Sequence, residues 1–158
     1  MANLDSNEVS RETLIAALNE DLSREYQAVI AYVTYSQVIK GAEFQFIARE
    51  LENHAHEELS HALTIANQID YLGGVPTVVA KEVKTSSKAT DMLRFDLANE
   101  NETVKNYRQR VRQAEALGEY AVAENIRKIL VEEQDHQNDL ATALGEEVPD
   151  VAKPDEIA

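Results

Sequence analysis

A chain of 158 residues is long enough for one domain with a substantial core and too short for two. Its 15 Lys and Arg stand against 29 Asp and Glu, a formal net charge of -14 that argues against binding to nucleic acid or to an anionic membrane surface. A 44% hydrophobic content excludes a disordered acidic chain, and the lack of cysteine excludes disulfides, thiolate metal sites and thiol nucleophiles. No apolar run approaches the ~18 residues of a membrane span. Met1-Ala2-Asn3-Leu4-Asp5 has neither the basic start nor the apolar stretch of a signal peptide, so a soluble, cytoplasmic protein is expected.

The spacing of apolar residues predicts four helices, at about 10–39, 43–72, 88–116 and 119–144. The first carries Leu14, Leu18, Leu22, Glu25, Val29, Tyr32, Ser36 and Ile39 at steps of three and four, with Asp5 or Ser10 placed to cap its start. A tight turn at Lys40-Gly41-Ala42 leads to the second, whose stripe is Ile47, Leu51, His54, Glu58, His61, Ile65, Ile69 and Leu72. The link Gly73–Ser87 is too long for a tight connection; it can run the length of a bundle and set the third helix parallel to the second. Ser86 or Ser87 is placed to cap that third helix, and a turn at Leu117-Gly118 leads to the fourth.

The two helix pairs repeat one another. A shift of 75 residues superposes Asp21-Leu22 on Asp96-Leu97, Glu25 on Glu100, Tyr32 on Tyr107, Glu58 on Glu133 and His61 on His136. With 20 glutamates and four histidines, one Glu-x-x-His means little. Two copies, each 33 residues after a glutamate on an otherwise apolar stripe, mean a great deal. A carboxylate facing an apolar core is costly unless it is paired or binds a metal, and no Lys or Arg stands at the matching core positions. Two divalent cations would neutralise four glutamates, and each imidazole would complete one shell. Six ligands follow: Glu25 and His61 for one metal, Glu100 and His136 for the other, Glu58 and Glu133 as bridges. Iron suits this mixed nitrogen and oxygen set, manganese is the main competitor, and zinc would bind without turning over.

Other residues carry weaker signals. Tyr32 and Tyr107 could hydrogen-bond a ligand carboxylate or donate an electron, and a plain core role is equally open to them. His54 stands one turn before Glu58, near where iron would arrive, although an isolated histidine is more often structural or solvated. Tyr35 and Met92 read as packing and His56 as surface. Glu57 and Glu132 read as pointing away from the ligands, toward solvent or an iron path. Lys81, Lys84 and Lys88, and the segment Lys105, Arg108, Arg110 and Arg112, read as salt-bridge partners at subunit contacts.

The Glu25-Tyr26 run with Tyr32, Glu58-Leu59-Ser60-His61, Gly73-Gly74-Val75-Pro76, Asp96-Leu97-Ala98-Asn99-Glu100 and Glu132-Glu133-Gln134-Asp135-His136 resemble the ferritin-like superfamily, and within it the bacterioferritins, over about residues 15–144. The resemblance implies an all-α, ferritin-like four-helix bundle over residues 1–145 with a long crossover between helices two and three, followed by an acidic, Pro-containing tail at 146–158. It implies that the six residues hold two Fe ions per chain beside Tyr32, and that the centre oxidises Fe(II) with oxygen or peroxide. Bacterioferritins bind haem through a methionine directly after the second-helix ligand glutamate; that residue here is Leu59, so no haem is expected. They also end in a fifth helix that lines the pores of a 24-subunit shell, and Gly145-Glu146-Glu147-Val148-Pro149-Asp150 is a poor start for one. A homo-oligomer is expected, as a dimer, a 12-mer of the Dps type or a 24-mer, with neither nucleic acid nor membrane as partner.

The expected activity is therefore a ferroxidase serving iron storage or detoxification. The rival is a di-iron or manganese oxidase or oxygenase acting on a small organic substrate or on peroxide, without mineral storage. A third reading, a structural bundle with an incidental metal, predicts that removing the ligands leaves function intact.

Overall fold

A computed structural model describes residues 9–151. Four helices form: α1 Arg11–Val38, α2 Gln45–Tyr71, α3 Ala89–Ala116 and α4 Tyr120–Ala143. Each lies within a few residues of its expected span. Ser10 caps α1 in a reciprocal capping box with Thr13, while Asp5 lies outside the described residues. Between α1 and α2 the chain turns at Gly41, whose φ of 123° disfavours any side chain, and passes through one 3-10 turn, Ala42–Phe44, before α2 begins. The cap expected of Ser86 or Ser87 does not form on α3. Lys88 holds the N-cap position, and Ser86 Oγ instead accepts from Lys88 N and donates to Asp91 Oδ2.

Side-chain pairs fix the helix directions. Tyr32 meets Glu100, Glu25 meets Tyr107 and Asp21 meets Arg110, so α1 and α3 run antiparallel. His54 meets Asp139, His136 meets Glu58 and His61 meets Glu132, so α2 and α4 do too. The crossover therefore returns the chain along the bundle, as its length implies, and α3 runs parallel to α2.

It returns as an ordered strap lying on α1. Asn19 bonds Val75 O and Thr77 N, Ser23 bonds Val79 O and Lys81 N, Gln27 bonds Glu82 O, and the Tyr35 hydroxyl bonds Lys84 O. The register follows from geometry: a helix advances about 1.5 Å per residue and an extended chain about 3.3 Å, so the strap covers α1 with about half as many residues. At its start Gly74 lies so close to α1 that an added Cβ would stand 2.5 Å from Ile15 Cγ2.

The apolar core is split in two. One cluster, around Leu14, Leu18, Ile65, Ile69, Val122 and Ile126, fills one end of the bundle. A second, around Tyr35, Ile47, Leu51, Leu93 and Leu140, fills the other. Polar side chains occupy the layer between them. Among the described residues no helix is long and apolar enough to cross a membrane, and residues 146–151 form no helix.

One correction concerns the basic residues. Arg110 is buried, with Nε 2.7 Å from Asp21 Oδ2, so it serves this chain's own core rather than a subunit contact. Lys81 pairs with Glu20 at 2.5 Å, both side chains exposed, and Lys84 lies over the Phe95 ring.

Candidate metal centre

The apolar stripes of all four helices are interrupted at one level, where Glu25, Glu58, His61, Glu100, Glu133 and His136 are all buried. The i, i+3 spacing puts Glu58 and His61 on one face of α2, and Glu133 and His136 on one face of α4. The layer holds two groups able to bind a metal ion: Glu25, Glu58, His61 and Glu133, and Glu58, Glu100, Glu133 and His136. Within each, one donor atom per residue lies within 4.8 Å of every other. Glu58 and Glu133 belong to both, in the arrangement expected of bridges.

The geometry respects the repeat. His61 Nδ1 lies 3.1 Å from Glu58, 2.8 Å from Glu133 and 3.8 Å from Glu25. His136 Nδ1 lies 3.0 Å from Glu58, 3.5 Å from Glu133 and 3.7 Å from Glu100. The Tyr107 hydroxyl donates to Glu25 Oε1 and the Tyr32 hydroxyl to Glu100 Oε1, so each outer glutamate is held by a tyrosine from the facing helix. Burial and the facing carboxylate push both phenols well above their ordinary range, which keeps them donors.

Glu57 and Glu132 do not point away, as the sequence suggested. Half-exposed, each crosses to the opposite helix: Glu132 Oε2 lies 2.9 Å from His61 Nε2, and Glu57 Oε2 meets His136 Nε2. They too are related by the shift of 75 residues, a signal that was available in the sequence. A carboxylate on Nε2 fixes the proton there and turns the Nδ1 lone pair inward. That lone pair then faces carboxylate oxygens, and like acceptors at 3 Å need a cation between them. A proton or a metal ion can serve as that cation. Burial opposes charge on His61, but Glu133 and Glu58 overcome it and raise the imidazole to about 11. The same balance, with Glu100 foremost, raises His136 further.

The carboxylates divide accordingly. Burial raises Glu25 and Glu100 well above the usual range, helped by the neighbouring carboxylates. Burial works the same way on Glu58, but hydrogen bonds from His136 and His61 outweigh it and leave that carboxyl well below its ordinary value. On Glu133, burial and Glu58 are opposed by the two imidazoles, which win and lower it. The layer thus favours protons on the two imidazoles and the two outer glutamates and disfavours them on the two shared glutamates. The fit to metal is good, because Glu100 Oε2 and both oxygens of Glu133 are buried without a hydrogen bond. The Glu133 contacts to the imidazoles are close but lack hydrogen-bond geometry.

Of the remaining candidates, Tyr35 and Met92 are buried in the core and His56 is exposed, as read from the sequence. His54 is buried, stacks on the His136 ring with centroids 4.0 Å apart, and bonds Asp139.

A bundle with an up-down, down-up helix order and two overlapping carboxylate and histidine groups in its centre defines the ferritin-like class. The chain belongs to the Ferritin family, whose ferritin-like domain profile matches residues 15–147. Among curated proteins it is 25% identical over 132 residues to the bacterioferritin of Desulfovibrio desulfuricans, covering 83% of this chain and 74% of that one. Among solved structures it resembles a ferritin-like, diiron-carboxylate protein from Bacillus anthracis, with a TM-score of 0.81 and 32% identity over 85% of this chain and 96% of the other. It also resembles a dodecameric thioferritin, the bacterioferritin-related protein of Bacteroides fragilis, with a TM-score of 0.80 and 27% identity over 89% of each chain.

Proposed function

We propose that this protein is a ferroxidase. Two Fe(II) ions are its substrate, held by Glu25, Glu58, His61, Glu100, Glu133 and His136, and oxygen or peroxide is the oxidant. The observation that carries this reading is the sharing of Glu58 and Glu133 between two four-donor groups. Shared carboxylates hold two ions side by side, which a two-electron oxidant requires. Each Fe(II) gives up one electron; oxygen takes two electrons and two protons and leaves as hydrogen peroxide, or peroxide takes the same and leaves as two waters. Four carboxylates favour Fe(III) over Fe(II), Tyr32 and Tyr107 orient the outer glutamates, and Glu57 and Glu132 orient the imidazoles. The apolar clusters above and below the layer exclude water from it.

The cleft beside the layer is lined mainly by Glu, Asp, Asn and His side chains, which suits a cation more than an organic substrate. We further infer that iron rather than manganese is the working metal and that the protein assembles as a homo-oligomer, for which the dodecameric relative gives a precedent; residues 152–158 of the acidic tail lie outside the described residues.

The test is an anaerobic Fe(II) titration of metal-free protein, followed by oxygen while ferric absorbance is recorded. We expect tight uptake of about two ions per chain and fast oxidation, both abolished by Glu58→Ala because it removes a donor from each group. Uptake far beyond that ratio would support storage. Oxidation without further uptake would favour an oxidase acting on a small molecule, and a chain that binds no iron would sink the reading.

A further inference from the structure

We propose that the acidic tail docks on its own bundle: Asp155 and Glu156 pair with Arg108 and Arg112 of α3, and Ile157 enters the apolar pocket beside them. The inference is independent of the ferroxidase reading. It starts from the basic segment of α3. At 3.6 residues per turn, Arg94, Lys105, Arg108 and Arg112 all fall within about 40° of one line along that helix. Among the described residues neither Arg108 nor Arg112 forms an ion pair, and Arg108 Nη1 is buried without a hydrogen-bond partner. Two arginines without an acid are out of place in a chain of net charge -14. Arg127, facing them from α4, is by contrast taken by Glu115 and Glu124.

The two arginines border a pocket of about 370 Å3 that Val111, Leu130 and Val131 also line. Val131 is 62% exposed there, an open apolar side chain beside unpaired positive charge. The occupant that fits is a segment with acids next to an aliphatic side chain. Asp155-Glu156-Ile157 has that composition.

The described part of the tail starts on this path. Glu146 Oε1 lies 2.6 Å from Arg94 Nη2, at the head of the same line of basic residues. From Arg94 to Arg108 and Arg112 the helix advances about 21 to 27 Å. From Glu146 to Asp155 and Glu156 an extended chain spans about 28 to 33 Å, and Pro149 and Pro154 favour extended over helical backbone. The tail is long enough to reach the pocket, with little slack. So short a tether sets an effective concentration of millimolar order, which favours this tail over the acids of a free second copy.

The chain has no cysteine, so two introduced ones report the contact. In the full chain, Val131→Cys with Ile157→Cys should form a disulfide under mild oxidation, within one chain as judged by mass on a denaturing gel. Asp155→Asn with Glu156→Gln should slow that closure about three- to tenfold, and so should ~1 M salt. Arg108→Glu with Arg112→Glu should slow it as well, and adding Asp155→Arg and Glu156→Arg to that chain should restore it. The tail variant lies outside the bundle, so it keeps the test decisive if the arginine variant fails to fold. A disulfide whose rate ignores both the tail charges and salt reflects chance collision and overturns the pairing. No disulfide, or one that joins two chains, overturns docking of the tail on its own bundle.

Discussion

Beside the six buried residues, two further carboxylates, half in water, sit on the imidazole nitrogens that face away from the centre, Glu132 on His61 Nε2 and Glu57 on His136 Nε2. Glu57→Gln and Glu132→Gln should each weaken Co(II) binding by about 10- to 100-fold in competition titrations, since Nε2–H would lose its ionic acceptor. The central groups also make loading pH-dependent. In the cation-free fold His61 holds its proton up to about 11 against an ordinary 6.5, so its contribution to stability is complete below 6.5 and is lost as pH rises toward 11. Glu58, lowered from 4.5, works in reverse: its contribution is present above 4.5 and is lost as pH falls below that value. Divalent cations compete with protons for His61 and His136, so loading should release protons, measurable with an indicator dye in weak buffer, and apparent affinity should fall as pH is lowered. A release near zero would show that the ions bind elsewhere.

Among the elements, the strap is where sequence and structure part company. Its length implies a return along the bundle, and the helices flanking it fall where three- and four-residue spacing puts them. Its attachment to α1 is invisible in the sequence, because Asn19, Ser23 and Gln27 are ordinary polar positions on a helix until Val79 and Glu82 are known to lie over them. Gly74 is legible only as a turn residue, yet its close approach to Ile15 is what seats the strap. Gly74→Ala should destabilise the protein by about 1–3 kcal/mol in urea denaturation, through overpacking. The central layer was legible for the opposite reason: buried charge is rare, and its repetition at fixed spacing survives in the sequence as a pattern. Glu57 and Glu132 were missed because half-exposed glutamates on acidic helices look like solvated surface, although their own repeat was there to be seen. Arg110 was missed because its partner Asp21 lies 89 residues away.

For the molecule as a whole, the ledger of buried charge closes only when every partner is present. Burial raises Asp21 to about 6, with Arg110 holding it back from rising further. Arg110→Ala should therefore destabilise the fold by about 3–5 kcal/mol at neutral pH, by leaving that carboxylate uncompensated. Because a raised carboxyl regains stability as pH falls toward its ordinary 3.8, the deficit should shrink at mildly acidic pH, which urea denaturation at two pH values will show. The internal repeat has a consequence of a different kind. A layer built by two superposable hairpins is one that two identical hairpins could build between them, each giving a glutamate from one helix and a Glu-x-x-His from the next. In such a pair every change at one end of the layer is copied at the other. Joining the hairpins through the strap breaks that bond of heredity: the shift of 75 residues sets a buried histidine, His54, against a buried isoleucine, Ile129, and the centre gains a front and a back.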